Sequence, residues 1–392
     1  MVSKIKKILS NKSVLLVLVL ITIMSLIIYF ESTKPQIDTT PINSDIEIEK
    51  LNGLGSSASG NSVDSSISSK KVLTKTDIQR IKLKSEKYER AKELVDPEGY
   101  INIDNITLSE NIGKKVILID FWTYSCINCQ RTLPYLTAWH EKYESDGFVI
   151  IGVHTPEFEF EKDYDNVVKA TEKWNVKYPV VQDNDRQTWR AYKNRYWPRK
   201  YLIDIDGFIV FDHIGEGAYA KTEEKIQELL KERNEVLNVQ NDIDSEIVSY
   251  KPKKSLSFGT TSEVYFGYAF ARDQLGNEEG WHPQEVIKYS YPLNKKKNLF
   301  YLDGSWRNNA DDMELVDEKG SIYLDYYAKD VNIVAGANLP TKMEVYLDGK
   351  KIKDITIQDF DLYELVSDEE AENHILELKT EKGIMAYTFT FG

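Results

Sequence analysis

The chain has 392 residues and two cysteines, which stand three apart in Cys126-Ile127-Asn128-Cys129. Two thiols at that spacing can do exchange chemistry. If a helix begins at Cys126, its free N–H groups and dipole favour the thiolate there. Cys129 then lies one turn on, within reach to close a disulfide with Cys126. A Cys126 thiolate would attack a substrate disulfide, and Cys129 would resolve the mixed disulfide. Asp120 closes an apolar run (116–119), a poor place for a structural carboxylate and a good one for exchanging a proton with Cys129. Trp122 and Tyr124 flank the pair, either as packing or as the lining of a substrate groove.

Other uses of two cysteines fit less well. A structural zinc site needs four ligands, and no second such pair exists. His140, eleven residues past Cys129, would be about 16 Å away along a helix. Covalent haem attachment needs a histidine at 130, where the residue is Gln. A thiol peroxidase reading would need one lone activated cysteine. A purely structural disulfide is the remaining alternative; on the redox reading the pair itself is the redox group, and no metal, nucleotide or other cofactor is implied.

The elements that must position these residues can be read from periodicity. Val116-Ile117-Leu118-Ile119 is a buried strand run. After the cysteines, Leu133, Leu136, Trp139 and Tyr143 share one helical face. Residues 148–153 form the next strand, making a right-handed βαβ unit with the cysteine helix. A helix over 166–174, a strand over 178–182, a helix over 187–196 and a hairpin of 200–205 with 208–214 around Asp206-Gly207 follow. An amphipathic helix over 222–237 closes the domain, and a short hairpin at 100–103 opens it. Trp197-Pro198 starts the strand expected beside the cysteines. A proline there can be cis or an ordinary trans residue; cis would bring the Trp197 backbone near Cys126, where an extended substrate could add as a strand.

Strand, turn, cysteine pair and helix in this order resemble the active-site unit of thioredoxin-like proteins. Residues 120–135, His154-Thr155-Pro156-Glu157-Phe158, Gln182-Asp183-Asn184, Asn194-Arg195-Tyr196-Trp197-Pro198, Tyr201-Leu202-Ile203-Asp204 and Gly215-Glu216-Gly217 resemble the extracytoplasmic thioredoxin-like part of the DipZ family. These are cytochrome c biogenesis-type thiol–disulfide oxidoreductases related to TlpA and ResA. The resemblance covers residues 97–235. It implies Cys126 as nucleophile, Cys129 as resolving thiol, Asp120 as the buried acid, Pro198 as a cis-proline beside the pair, and Pro134 as the proline that bends the active-site helix. Family members usually carry a multi-helix membrane domain that imports electrons. Here one candidate membrane helix is present, so a reductase would depend on a separate membrane electron donor.

That helix is 14–30, seventeen residues without a charge after Lys4, Lys6, Lys7 and Lys12. It is just long enough to span a bilayer. The flanking lysines place residues 1–13 in the cytoplasm and the rest outside. A cleaved signal peptide is the alternative, and it exports the chain equally. Residues 31–75 read as a tether, too small and polar to bury a core, with a reach of roughly 35–40 Å as a flexible coil. A packing helix over 76–94 leads into the thioredoxin-like domain (76–237). The formal charge of −13 and the lack of a basic stripe argue against a nucleic-acid partner.

After a polar linker (238–255), residues 256–392 change to period-two alternation. Strands are expected at 263–269, 322–328, 332–335, 343–347, 375–378 and 387–391, giving an antiparallel, jelly-roll-like β-sandwich. Gly267-Tyr268, Ser305-Trp306 and 387–392 resemble the carbohydrate-binding-module-like domain of DipZ relatives. Trp281 and Trp306 are the candidates for stacking on a glycan ligand, against the alternative of core packing. The expected whole is a membrane-anchored, extracytoplasmic thiol–disulfide oxidoreductase acting on exported protein thiols and disulfides, with reduction favoured over oxidation. Its rival is a cell-surface glycan- or protein-binding protein whose redox domain is a platform.

Overall fold

The computed structural model describes residues 74–250 and 259–392. The candidate span 14–30, the tether up to residue 73 and linker residues 251–255 lie outside the described residues. Among the described residues, no helix is long and apolar enough to cross a membrane.

The first domain is a six-stranded sheet built from β1 (Gly99–Ile101), β2 (Val116–Trp122), β3 (Phe148–His154), β4 (Val180–Gln182), β5 (Arg199–Ile203) and β6 (Ile209–Ile214), in the order β1-β4-β3-β2-β5-β6. The β2–β3 and β3–β4 pairings are parallel, while β5 returns antiparallel to β2. Every residue of β2 and β3 is buried, as a strand covered on both faces requires. Alternate residues feed two cores. Val116, Leu118 and Trp122 pack with Leu133, Leu136, Trp139 and Tyr143. Ile117, Ile119 and Phe121 face Val149, Ile151, Trp189 and Tyr201. This is the thioredoxin-like α/β fold expected from the sequence.

Several local expectations change. The helix α1 (Lys75–Ser85) stops well before residue 94; Ile78 and Leu83 are exposed, Ile81 is half-buried, and Leu94 packs in the core beyond the helix end. The helix docks by charge. Arg80 bonds Asp206 at 2.8 Å, and Lys84 reaches Asp204 at 2.7 Å and Asp206 at 2.9 Å. The four-residue helix α2 (Leu108–Asn111) follows. No hairpin forms at 100–103, because β1 pairs with β4. The helices α3 (Ile127–Tyr143), α4 (Tyr164–Lys173) and α6 (Tyr219–Leu237) form as expected, but α5 (Gln187–Ala191) is short. Lys193 turns to positive φ two residues later, and the Asn194 side chain accepts from the Arg195 and Tyr196 amides, shaping the loop into Trp197. Residues 239–250 have no regular structure yet run back over α3 and α6: Ile243 is buried, and the Val248 amide donates to Glu223, which also takes the Trp139 and Tyr143 protons.

The second domain differs from a two-sheet sandwich. Nine strands form one antiparallel sheet: β7 (Val264–Tyr265), β8 (Val286–Tyr289), β9 (Phe300–Asn308), β10 (Met313–Leu315), β11 (Lys319–Ala337), β12 (Thr341–Leu347), β13 (Lys350–Ile357), β14 (Asp361–Glu381) and β15 (Ile384–Phe391). The N-terminal half of β11 pairs with β9 and the C-terminal half with β15, so the sheet closes on itself as a barrel. The stretches 322–328 and 332–335, expected as two strands, are one. The polar residues between them sit at a bulge, where extra twist lets a long strand bend around the core. The two domains pack within one compact unit. Phe158 of the first domain is buried with Tyr265, Val334 and Tyr387 of the second.

Candidate active site

Cys126 is the N-cap residue of α3, half-buried, in extended conformation and without a side-chain capping bond. The first-turn amides therefore have no competing side-chain acceptor, which suits a thiolate at this sulfur. Cys129 is 1% exposed. Both thiols are free. Burial pushes the Cys129 thiol well up, reinforced by Cys126 and Asp120. The pair is thus asymmetric, with one accessible sulfur and one buried sulfur that holds its proton.

Strand phase explains what surrounds Cys129. On β2, Asp120 has the parity of Leu118 and Trp122, so it points to the α3 face. Burial raises its carboxyl to about 7, opposed by the charge of Lys200. Its Oδ1 has no hydrogen-bond partner. Lys200 is its register partner on β5 and is also fully buried. The ammonium donates to the Gly215 carbonyl at 3.0 Å. Burial lowers its pKa, while Asp120, Cys129 and Glu216 act to raise it. Tyr178, with no exposed surface and an unpartnered hydroxyl, is pushed up by burial and by the same Asp120 and Cys129.

The other sequence candidates fall into two groups. The Trp197-Pro198 bond is cis, and the Gly215 amide donates to the Pro198 carbonyl at 2.8 Å. Trp197 is half-buried, its indole donating to Thr155 O at 3.0 Å and packing 4.3 Å from Trp189. Trp122 and Tyr124, by contrast, are buried and line no surface groove: Trp122 sits in the core at 0% exposure, and Tyr124 stacks on His154. Burial holds His154 neutral, with its pKa near about 3, and its Nε2 lies 3.4 Å from the Thr123 hydroxyl. In the β domain, Trp306 has no exposed surface and donates to Asp303 O at 3.0 Å, so it has no face to offer a sugar. Trp281 is half-buried, edge-on to Phe300.

Two residues of the site were missed by sequence reasoning. Lys200 could have been found, since Leu202 points inward two residues on and strand parity puts Lys200 on the same face as Asp120. Glu161 left no such signal. It lies in a single 3-10 turn (Glu159–Lys162), fully buried, and accepts the Ser125 hydroxyl proton at 2.5 Å directly before Cys126.

Comparison with known proteins agrees with this geometry. Residues 89–212 match the AhpC/TSA family, and residues 261–392 match the family described as thioredoxin like C-terminal domain. Protein DipZ of Mycobacterium bovis is 34% identical over 283 residues, which cover 72% of this chain and 40% of DipZ. The chain therefore spans well under half of that relative's length. Thiol-disulfide oxidoreductase YkuV of Bacillus subtilis is 26% identical over 140 residues, 36% of this chain and 93% of YkuV. Thiol-disulfide oxidoreductase ResA of Bacillus thuringiensis is 31% identical over 153 residues, 38% of this chain and 80% of ResA. With both domains matched and the likeness running across most of its length, the chain belongs among the DipZ homologues, as an AhpC/TSA-type thioredoxin-like domain joined to a thioredoxin-like C-terminal domain.

Proposed function

We propose that this protein is a thiol–disulfide oxidoreductase of exported proteins, held at the outer face of a membrane by residues 14–30. The observation that carries the reading is the asymmetry of the pair: Cys126 half-buried at a helix N-cap, Cys129 buried beside an acid that burial holds near about 7. In the reducing direction, the Cys126 thiolate attacks one sulfur of a substrate disulfide and the other leaves as a thiolate. Asp120 takes the Cys129 proton. The Cys129 thiolate then attacks Cys126 Sγ, the second substrate sulfur departs, and the protein is left with the Cys126–Cys129 disulfide. Two electrons have passed to the substrate, and a separate membrane donor must return them.

Trp197-Pro198 is the docking edge for substrate backbone, flanked by the exposed Tyr196 and Ile214. The uncharged run 14–30 behind a lysine-rich start supports the anchored, extracytoplasmic placement. In an insulin-reduction or mixed-disulfide trapping assay, Cys126→Ser abolishes exchange, and Cys129→Ser accumulates a trapped substrate adduct. Full activity in Cys126→Ser would sink the proposal. Direction is tested by equilibrating the pair with glutathione: a value near roughly −270 mV makes it a reductase, and one near roughly −120 mV an oxidant.

A further inference from the structure

One loop separates the cysteine pair from the β domain. Residues 155–162 leave β3 and turn back across the site, touching the active-site turn with one face and the barrel with the other. On the first face, Glu161 accepts the Ser125 hydroxyl at 2.5 Å, and its other oxygen takes the Glu157 and Phe158 amides at 2.5 and 3.0 Å. The Phe160 ring lies 6.0 Å from Tyr124. Ser125 and Tyr124 are the two residues that precede Cys126.

On the second face, Phe160 packs 4.7 Å from Tyr387 and 5.4 Å from Phe360. Phe158, 1% exposed, meets Tyr387 at 5.2 Å and Phe270 at 5.4 Å. The Tyr265 hydroxyl donates to Glu157 at 2.8 Å, and the Glu159 amide donates to Asp311 at 2.8 Å. A short segment whose one regular element is a single 3-10 turn (Glu159–Lys162) opens at low free-energy cost without such cover. A buried carboxylate satisfied by two amides and a hydroxyl loses much if any one of them drifts. The barrel supplies the apolar cover that keeps this loop closed.

We propose that the C-terminal β domain is a positioning part of the redox site: through Tyr265, Phe360 and Tyr387 it holds loop 155–162, whose Glu161 fixes Ser125 and so the placement of Cys126. When the disulfide forms, the Cys126 sulfur must move onto Cys129. An anchored turn and a loose one therefore differ in how favourable the disulfide is, and the reduction potential reads the difference. The inference rests on the pair being redox-active, which the unsubstituted chain tests separately by its own equilibrium with glutathione.

The test uses the full chain. Tyr265→Phe keeps the ring and removes the hydroxyl bond to Glu157; Phe360→Ala loosens the aromatic joint. Each is expected to change the thiol–disulfide equilibrium against glutathione by about threefold, which is about 14 mV for two electrons, with the circular dichroism spectrum unchanged. In a Glu161→Gln background, Tyr265→Phe should add nothing, since the path it acts through is already cut. Tyr346→Phe, whose hydroxyl donates to Glu344 on β12, should leave the potential where it is. A potential unmoved by both joint variants, in a chain whose unsubstituted pair equilibrates normally, overturns the inference. So does a Tyr265→Phe shift that persists in full beside Glu161→Gln.

Discussion

Replacing Asp120 by asparagine should make the protein more stable at alkaline pH while slowing its chemistry. Asp120 is 1% exposed and held near about 7 by burial, against an ordinary value of 3.8. Between those limits the folded chain keeps a proton that the unfolded chain has released, so native stability falls as pH rises from about 4 to about 7 and levels off above. Holding a fully buried carboxyl that far up corresponds to about 4 kcal/mol once both limits are passed. Asparagine carries no such pH-dependent cost. Denaturant unfolding of the reduced full chain and of Asp120→Asn, at pH 4.5 and pH 8, should therefore show a stability difference that moves in favour of the variant by about 3 kcal/mol between the two pH values. Any loss from altered packing is the same at both and cancels. At the same time, the second step of exchange slows in the variant, because Cys129 has lost its proton acceptor. A stability difference that does not change with pH would refute the assignment of a raised carboxyl at this position, and with it the argument for Asp120 as the base.

Lys200→Met removes the buried cation that faces Asp120 and Cys129. Without it the Asp120 carboxyl rises further, and the pH at which exchange is half-maximal should move up by about one unit; a profile that stays put would show that the ammonium is electrostatically silent there. Trp306→Ala opens a hole in the barrel core and should cost about 3–5 kcal/mol in a thermal or denaturant melt. A stable variant with lost glycan binding would instead restore Trp306 as a ligand contact.

The sequence alone determined the centre of this protein. The apolar β-branched run 116–119 reads as a strand buried on both faces, and the cysteine spacing puts two thiols one turn apart at a helix start. The period of Leu133, Leu136, Trp139 and Tyr143 sets which face of that helix is buried, and all four are in the core. Local patterns carry this information because strand and helix periods are properties of neighbouring residues.

What the pattern could not decide depends on residues far apart in the chain. The helix α1 leaves Ile78 and Leu83 exposed and docks by charge, because Arg80 and Lys84 find Asp204 and Asp206 more than a hundred residues away. Trp122, Tyr124 and Trp306 look equally able to bind or to pack, and only the fold buries them. Lys200 meets Asp120 through an antiparallel register set by β5 returning beside β2. Glu161 reaches Ser125 from a single 3-10 turn too short to show a period, and that loop is itself packed against a barrel whose long strands change partners at a bulge. Pairing, register and domain contact are long-range choices, settled by which burial satisfies the most apolar surface and the fewest unpaired charges at once.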